Sequence, residues 1–466
     1  MSGINRLVGF TCATAILAVT AAGAARADAT EDLLRRLRAK GILTEQEYRE
    51  LSGSKQAEAT AAAAPAPADD SLYVKVKDPS KGIGLTVGPV DITLSGSVNA
   101  FFVSSSKDND NQPVALGAVG GRQDSVAVRN GLLPGFFKID VTTLQDGIEY
   151  GGHFGFYPGI NSVSNVGGAN SAGNPTALGT SGIDFRQVYM TVASPSFGEF
   201  KAGRDIGLFG SEAILNDMLL LGVGAPGGNV GPSNTSLGHI GTGYIYADFM
   251  PQLTYTTPDF SGLKATVGLF QPLDTVPVLG TSLTGHETPG AQGKVTYDYK
   301  DGDFAARLFA GGVVQELSAN IDVPGEPGSA DTTAYGIDLG AKLSYGGASV
   351  LGYYYTGKGL GTTGLFIGSV AANGEARDSE GFLVQATYSF DKFMIGASYG
   401  ASYLDLAEGE ASSLLVESNE SMAVQGRYSL RKWATLVGEY VHTESTAHDG
   451  ASAEEDAVAL GAILFF

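Results

Sequence analysis

Residues 335–345 read YGIDLGAKLSY, and apolar side chains alternate in this stretch with small or polar ones. Such a period of two predicts a β-strand with one apolar face and one polar face. The polar face carries Asp338 and Lys342, which suit a water-filled lumen, and Tyr335 and Tyr345 stand at the ends of the apolar face. Aromatic ends on an apolar face are typical of strands that cross a membrane. The stretch therefore predicts one strand of a transmembrane β-barrel.

The same alternation recurs along the chain from about residue 90. It is clear at residues 92–102, 382–390 and 393–401, and again at 456–466, which ends on Phe466. A soluble β-sandwich would show the same pattern, because its strands also have one buried face. The connections between the strands distinguish the two architectures.

Connections of two lengths alternate along the chain. Short turns are indicated at 145–147, 195–198, 258–262, 300–303, 346–347, 391–392 and 431–432. Long polar or glycine-rich stretches lie near 104–130, 158–182, 205–242, 271–290, 317–331, 358–378, 405–417 and 443–454. Short periplasmic turns and long external loops are typical of outer-membrane barrels. The predicted fold class is all-β: a transmembrane antiparallel β-barrel of about 16 strands over residues 90–466, preceded by a short α-helical segment.

Composition agrees with a membrane barrel and excludes some functions. The chain has 66 Gly, 22 Phe and 20 Tyr against 17% charged residues, and no run of apolar residues is long enough for a transmembrane helix. The net charge of −20 argues against nucleic acid as a partner, since such proteins need a basic surface. The histidines are scattered without metal-ligand spacing and no Ser/His/Asp set stands out, so we expect no enzyme activity, no metal and no cofactor.

The first residues are typical of a secretory signal peptide. Arg6 precedes an apolar run, and Ala25-Arg26-Ala27 forms a small-residue cleavage site, which predicts a signal peptide over residues 1–27. The alternative is an N-terminal membrane anchor, for which the run is short. The only cysteine, Cys12, lies in this segment, so the mature chain would contain no disulfide and no thiol-ligated metal.

A helical segment is predicted over residues 28–52. Leu33, Leu34 and Leu37 form an apolar stripe at helical spacing, and Thr44 with Glu47 forms a capping box. Helices this short are marginal alone, so the stripe either packs against copies of itself or is a frayed tail. Residues 53–89 follow as an Ala/Pro-rich linker and lead-in to the barrel.

The long stretch 205–242 is the third of the predicted external loops. It has no Lys or Arg, carries Glu212 and Asp217, begins at Asp205 and contains the apolar run 214–221. A loop this long is usually functional or disordered, and its apolar residues argue against disorder. We therefore expect it to fold into the barrel lumen and narrow it, with the apolar run packing against the inner wall.

These features together resemble the Gram-negative porins. The resemblance comprises the signal peptide, the alternating strands, the Gly203-Arg204 step before the third loop and the terminal Phe466. The helical segment with its linker is further similar to the DcaP-like porins. The resemblance implies an outer-membrane homotrimer with a periplasmic coiled coil, contacts with outer-membrane lipids and lipopolysaccharide, and recognition of Phe466 by the barrel-assembly machinery.

The resemblance also implies a constriction with charges on facing walls. Arg204 and Arg186 match basic positions of the porin constriction, and Glu212 and Asp217 supply the acids of the loop. Alternation places the remaining inward cations on the polar faces of their strands: Lys138, Lys264, Lys294, Arg307, Lys342 and Arg427. Alternatively, each cation is a solvated lumen charge paired with a nearby acid, and the two loop acids point toward the outer vestibule.

The sequence therefore predicts a channel for passive diffusion of small hydrophilic solutes. One alternative is a selective channel for anions or dicarboxylates, in which loss of Arg204 would shift selectivity toward cations. Another is a structural barrel that tethers the envelope through the N-terminal helices. Bilayer conductance and deletion of the helical segment distinguish these functions.

Overall fold

The computed structural model describes residues 74–76, 83–161, 183–229, 233–273, 281–285, 287–321, 325, 327–411 and 413–466. The predicted signal peptide 1–27 and helical segment 28–52 lie outside these residues, as does most of the lead-in 53–89, and they stay predictions. Among the described residues, no helix is long and apolar enough to cross a membrane.

The described chain consists mainly of antiparallel strands. In chain order these are β1 Val74–Val76, β2 Ile83–Val87, β3 Val90–Lys107, β4 Ser125–Arg129, β5 Phe136–Gln145, β6 Ile148–Pro158, β7 Ile183–Ser194, β8 Gly198–Ile206, β9 Phe249–Thr256 and β10 Leu263–Phe270. The second half contains β11 Thr281–Gly285, β12 Gly290–Asp301, β13 Phe304–Ile321, β14 Ser329–Tyr345, β15 Ala348–Lys358, β16 Asp378–Phe390, β17 Phe393–Leu404, β18 Val416–Arg431, β19 Ala434–Ala447 and β20 Ser452–Phe465.

These strands close into one barrel. Each wall strand pairs with its neighbours in sequence, and β20 pairs back onto β3 from Glu455↔Lys107 to Phe465↔Ser97. Strands β4 and β5 both pair with β3, and β11 and β12 both pair with β13, so each of these couples fills one wall position. Within the described residues the wall is thus a closed barrel of 16 strands, and the predicted fold class is confirmed.

The seam of the barrel forms at the last residue of the chain. Gly96 N donates to Phe466 O at 2.9 Å and Phe466 N donates to Gly96 O at 3.0 Å. A β-carbon at Gly96 would lie 2.4 Å from Cζ of the Phe466 ring, so this contact requires glycine. Beyond the seam β2 continues along the same edge of β3, from Ile83↔Leu94 to Val87↔Val90. The sheet therefore begins before residue 90.

The connections have the two lengths that the sequence predicted. At one end of the barrel the strands are joined by tight turns, such as Asp146-Gly147 with positive φ values of 51° and 78°. A two-residue turn of this kind matches the twist of the strands it joins. Long connections leave the opposite end. We refer to these as the short-turn end and the long-loop end.

Outward-pointing side chains are mostly apolar. On β3, Val98 and Phe102 are 55% and 50% exposed, while the alternate residues Phe101 and Val103 are buried inside. Exposed aromatic side chains gather near the short-turn end: Phe200, Tyr299, Phe304, Tyr345, Tyr388, Phe390, Phe393 and Trp433. An apolar belt with an aromatic edge is the outer surface of a membrane barrel.

The connection from β8 to β9, residues 207–248, is loop 3, and its described residues 207–229 and 233–248 fold inside the barrel. It contains the short helix α1, Ser211–Asn216, and a 3-10 helix, Met218–Leu221. Ile214 of α1 is buried in a cluster that also contains Phe309, Leu351 and Tyr353 of the wall. The loop therefore has an apolar core of its own against β13 and β15, which explains the apolar run in its sequence.

Candidate functional site

Loop 3 is fastened to the inner wall along its first half. The backbone N–H groups of Leu208 and Phe209 donate to Gln292 Oε1 of β12 at 2.7 and 3.0 Å. The N–H of Gly210 donates to Asp338 Oδ2 of β14 at 2.9 Å. Because these loop N–H groups are buried, each requires an acceptor, and the wall side chains supply it.

Glu212 of α1 binds two cations of the wall directly. Lys294 Nζ donates to Glu212 Oε1 at 2.8 Å, and Arg307 Nε donates to Glu212 Oε2 at 2.9 Å. Burial alone would raise the pKa of Glu212, but the hydrogen bonds and charges of Arg307 and Lys294 outweigh it and lower the pKa. Glu212 therefore anchors the loop to the wall, and Lys294 and Arg307 balance its negative charge.

The next wall strands bind the segment after Glu212. Lys342 Nζ of β14 donates to Asn216 Oδ1 at 3.3 Å, and Arg427 of β18 donates to the carbonyl of Met218. Gln385 of β16 both accepts from Met218 N at 2.9 Å and donates to Asn216 O at 2.8 Å. The predicted cations Lys294, Arg307, Lys342 and Arg427 thus all contact loop 3.

The loop continues around the wall to β19 and β4. Glu439 Oε2 of β19 accepts from the N–H groups of Val223 and Gly224 at 2.8 and 3.2 Å. Fully buried Arg129 of β4 donates to the carbonyls of Pro226 and Thr235, both at 2.9 Å. We call the inner wall from β12 to β19 the tethering arc, because its polar side chains hold loop 3.

Asp217 joins the two legs of loop 3 to each other. Its carboxylate contacts His239 Nδ1 at 3.2 Å, accepts from Tyr244 OH at 2.8 Å and from Leu219 N at 2.8 Å. Burial would raise the pKa of Asp217, but His239 and these hydrogen bonds lower it. Since the side chain is buried on all sides, Asp217 is a structural group and does not line open space.

Ser398 of β17 completes a Ser–His–Asp arrangement that the sequence analysis did not find. Its Oγ lies 3.2 Å from His239 Nε2, on the ring nitrogen opposite Asp217. The side chains of His239 and Asp217 are 0% exposed, so no substrate reaches the hydroxyl. The arrangement therefore links loop 3 to the wall.

The opposite wall, from β5 to β8, binds loop 3 through Asn234 Nδ2, which donates to Tyr157 O of β6 at 3.0 Å, and a cavity separates it from α1; we call this wall the aperture arc. Arg186 of β7 points inward and its Nε donates to Asp184 Oδ2 at 2.6 Å. Its guanidinium lies over the ring of Tyr157 at 5.2 Å from the centroid. Successive residues of a strand normally face opposite sides, but Arg186 and Gln187 both face the lumen. The register shift between Gly155 and Tyr157 on the neighbouring strand accounts for this.

Most charges of the aperture arc are paired within the wall. Lys201 Nζ donates to Asp205 Oδ2 at 2.6 Å, and His153 lies 2.6 Å from Asp140. Lys138 of β5 differs, because in the part of the chain that the structure describes its ammonium makes no ion pair or hydrogen bond. It lies 5.6 Å from the ring centroid of Phe136. Lys138 therefore feels Asp205 and Asp140 only at longer range, without a direct ion pair among the described residues.

A cavity of about 400 Å³ lies between loop 3 and the aperture arc. Lys138, Arg186 and Gln187 line it on the wall side, and Ile214 and Leu215 of α1 line it on the loop side. We call this space the aperture cavity. It contains two of the predicted basic residues, whereas neither predicted acid lines it.

Two of the predicted lumen cations lie outside the region between loop 3 and the wall. Arg204 pairs in register with Val188, which is 43% exposed on the outer face, and donates to the carbonyl of Phe249. The structure therefore places Arg204 on the outside of the barrel, because it follows the inward Gly203 by one position. Lys264 lies at the short-turn end, 3.4 Å from Asp259, away from loop 3.

A closed barrel of this kind with a loop folded inside it agrees with the match to a family model. Residues 56–449 match the model of the Gram-negative porin family. The chain is a Gram-negative porin. It is therefore an outer-membrane transmembrane β-barrel that acts as a transport channel, and not an enzyme.

Solved structures of low sequence identity share the fold of this porin. The outer membrane channel DcaP of Acinetobacter baumannii is 19% identical with a TM-score of 0.60, and the alignment covers 83% of this chain and 99% of that one. An anion-selective porin from Comamonas acidovorans is 16% identical with a TM-score of 0.53, covering 81% and 100%. Salmonella typhi OmpF in complex with daunomycin is 14% identical with a TM-score of 0.51, covering 81% and 98%. Among curated protein sequences, none matches this porin.

Sequence reasoning missed the polar side chains that hold the loop. Gln292, Gln385 and Glu439 were not singled out, although each lies on a polar strand face. The available signal was a long amide or carboxylate side chain at an inward position of a strand whose neighbours are small. That signal identifies a lumen residue, but it does not show which loop atoms the residue binds.

Proposed function

We propose that this porin is a passive-diffusion channel for small hydrophilic solutes, with its path narrowed by loop 3 and running past the aperture arc. The observation that carries the proposal is the fastening of loop 3 along β12 to β19. The loop occupies that side of the lumen, and the aperture cavity remains on the other side. A barrel of this size would otherwise enclose a wide aqueous channel.

Purified porin in a planar lipid bilayer tests this function. We expect stepwise conductance that persists over minutes, and liposomes containing the porin should admit small sugars faster than larger ones. A bilayer that stays closed at high protein dose would contradict the proposal. Equal permeation of small and large sugars would contradict the narrowing by loop 3.

Anion preference is a second candidate, favoured by Lys138. Among the described residues the Lys138 ammonium has no carboxylate in ion-pair contact, whereas Lys201 and His153 on the same arc are each held by an acid. A cation at a constriction lowers the barrier for anions and raises it for cations. The reversal potential in a salt gradient measures this preference, and a value on the cation side would contradict it.

We further propose that the porin assembles as a trimer and that residues 28–52 contribute to this assembly. The support is the apolar stripe of Leu33, Leu34 and Leu37, which is too short to be stable alone. Conductance steps that occur in threes would support the trimer. Deletion of residues 28–52 should then yield single steps, and unchanged triple steps would contradict their role.

A further inference from the structure

The aperture cavity has more apolar surface than a path for ions and sugars requires. Its loop side is formed by aliphatic side chains from both legs of loop 3 and from the loop after β15: Ile214, Leu215, Leu220, Leu237, Ile240 and Ile367. Leu215 is 54% exposed although it lies on a helix inside the barrel. Contact between such an apolar side chain and an apolar part of a solute is favourable, because it removes apolar surface from water.

The wall side of the cavity supplies Lys138, whose ammonium makes no ion pair or hydrogen bond with the residues that the structure describes. The acids that act electrostatically on Lys138 are Asp205 and Asp140, and both are engaged with other partners. Arg186, the other cation of the cavity, is neutralised by Asp184 at 2.6 Å. An ammonium that makes no ion pair with the described part of the chain, opposite an aliphatic surface, is complementary to a solute with one negative charge and an apolar body.

We infer that the aperture cavity is a binding site for monocarboxylates that carry an apolar ring or short chain. The carboxylate binds Lys138, and the apolar body contacts Leu215 and Ile214 of α1. The inference rests on the proposed function, because the cavity must lie on the conducting path to be filled from solution. Its volume of about 400 Å³ falls within the range of roughly 300–1,000 Å³ that small-molecule sites occupy.

The charges around the cavity disfavour other classes of solute. A second carboxylate on the solute would lose its water without gaining a second cation, because Arg186, which also lines the cavity, is already held by Asp184 at 2.6 Å. A cation would be repelled by Lys138, and a sugar would leave the aliphatic side chains of the loop without a partner while losing its own water. The arrangement therefore selects a monoanion with an apolar part.

Block of the ionic current by benzoate and acetate tests the inference. The two anions have the same charge and differ in their apolar part. We expect benzoate to reduce the single-channel current of the intact porin at a roughly tenfold lower concentration than acetate. Lys138→Gln should remove this difference, and Lys138→Arg should retain it. Lys264→Gln is the matched control, because it removes the same charge at the short-turn end and should leave the block unchanged.

A second variant tests the apolar contact between the solute and loop 3. Leu215→Ser should weaken the benzoate block about fivefold and leave the acetate effect unchanged. Leu414→Ser, a comparably exposed leucine outside loop 3, should change neither. Equal block by both anions, or benzoate block that persists in Lys138→Gln, would overturn the inference while conductance shows that the channel function stands. Absence of any conductance would instead refute the proposed function.

Discussion

The tethering arc and the aperture arc carry the same kinds of side chain for different purposes. On the tethering arc, Lys294 and Arg307 are bound to Glu212 of loop 3. On the aperture arc, Lys201 is bound to an acid of its own wall, and Lys138 has no such partner among the described residues. The inward cations of the tethering arc are therefore occupied by loop 3, and Lys138 is the charge that we propose acts on permeating ions.

Among the variants considered, removal of the Glu212 charge should loosen loop 3 from the tethering arc the most. Glu212→Gln removes the ion-pair carboxylate of the buried Lys294 ammonium, which costs up to about 3 kcal/mol, whereas the partly exposed Arg307 keeps its ion pair with Asp298. We expect larger and noisier single-channel currents, because α1 is released from the wall. Glu149→Gln removes an exposed acid near a short turn and is the control. Quiet currents of normal size in Glu212→Gln would contradict the anchoring role.

Neutralising one lysine on each arc separates selectivity from anchoring. Lys138→Gln should reduce the anion-to-cation permeability ratio roughly fivefold, since two charges 4 Å apart in water interact by about 1 kcal/mol. Its current should stay as quiet as that of the unsubstituted porin. Lys294→Gln should instead increase current noise with a smaller change in reversal potential. Equal changes of reversal potential and of current noise in the two variants would contradict the different roles of the two arcs.

We expect low pH to weaken the attachment of loop 3 to the tethering arc. The pKa of Glu212 and of Asp217 is lower in the folded porin than the ordinary values of about 4.3 and 3.9. Their contribution to the stability of the loop is therefore complete above these ordinary values and is lost as the pH falls through the lower, folded ones. We expect steady current noise from pH 7 to about pH 5 and rising noise below about pH 4.

The Glu212→Gln variant provides the control for this pH effect. Its noise should be high already at neutral pH and should rise less on acidification, because one of the two titrating anchors is missing. Noise that rises equally in both proteins would assign the acid effect to other groups.

Replacement of Arg204 should have the smallest effect. The residue lies on the outer face, where it donates to the carbonyl of Phe249. Arg204→Ala should therefore leave the reversal potential unchanged, contrary to the shift toward cations that the Gly203-Arg204 step suggested. A shift as large as that of Lys138→Gln would show that Arg204 acts on the permeating ion.

The sequence allowed correct prediction of the fold because alternation is a local property. Residues 335–345 fix the faces of β14 without reference to any other strand, and the turn and loop lengths fix how the strands follow each other. The inward orientation of Lys294, Arg307, Lys342 and Arg427 followed from the same rule. The inward prediction for Arg204 rested on the family resemblance of the Gly203-Arg204 step and not on this rule, whereas the parity of the strand places Arg204 on the outer face.

The partners of loop 3 could not be predicted from local pattern. Asp217 and His239 are 22 residues apart and meet only because the two legs of the loop run side by side. Glu212 and Arg307 are 95 residues apart. Such contacts depend on the path of an irregular chain, and no periodicity encodes that path.

The sequence by itself determined that this chain forms a barrel with a long apolar loop and inward cations. Each of those properties comes from side-chain type and spacing along one strand or one loop. Only the tertiary structure decided which cations hold the loop and which ones, Lys138 and Arg186, line the remaining space. The physical reason is that a charge is neutralised or left free by neighbours in space, and the lumen brings together residues that are far apart in the chain.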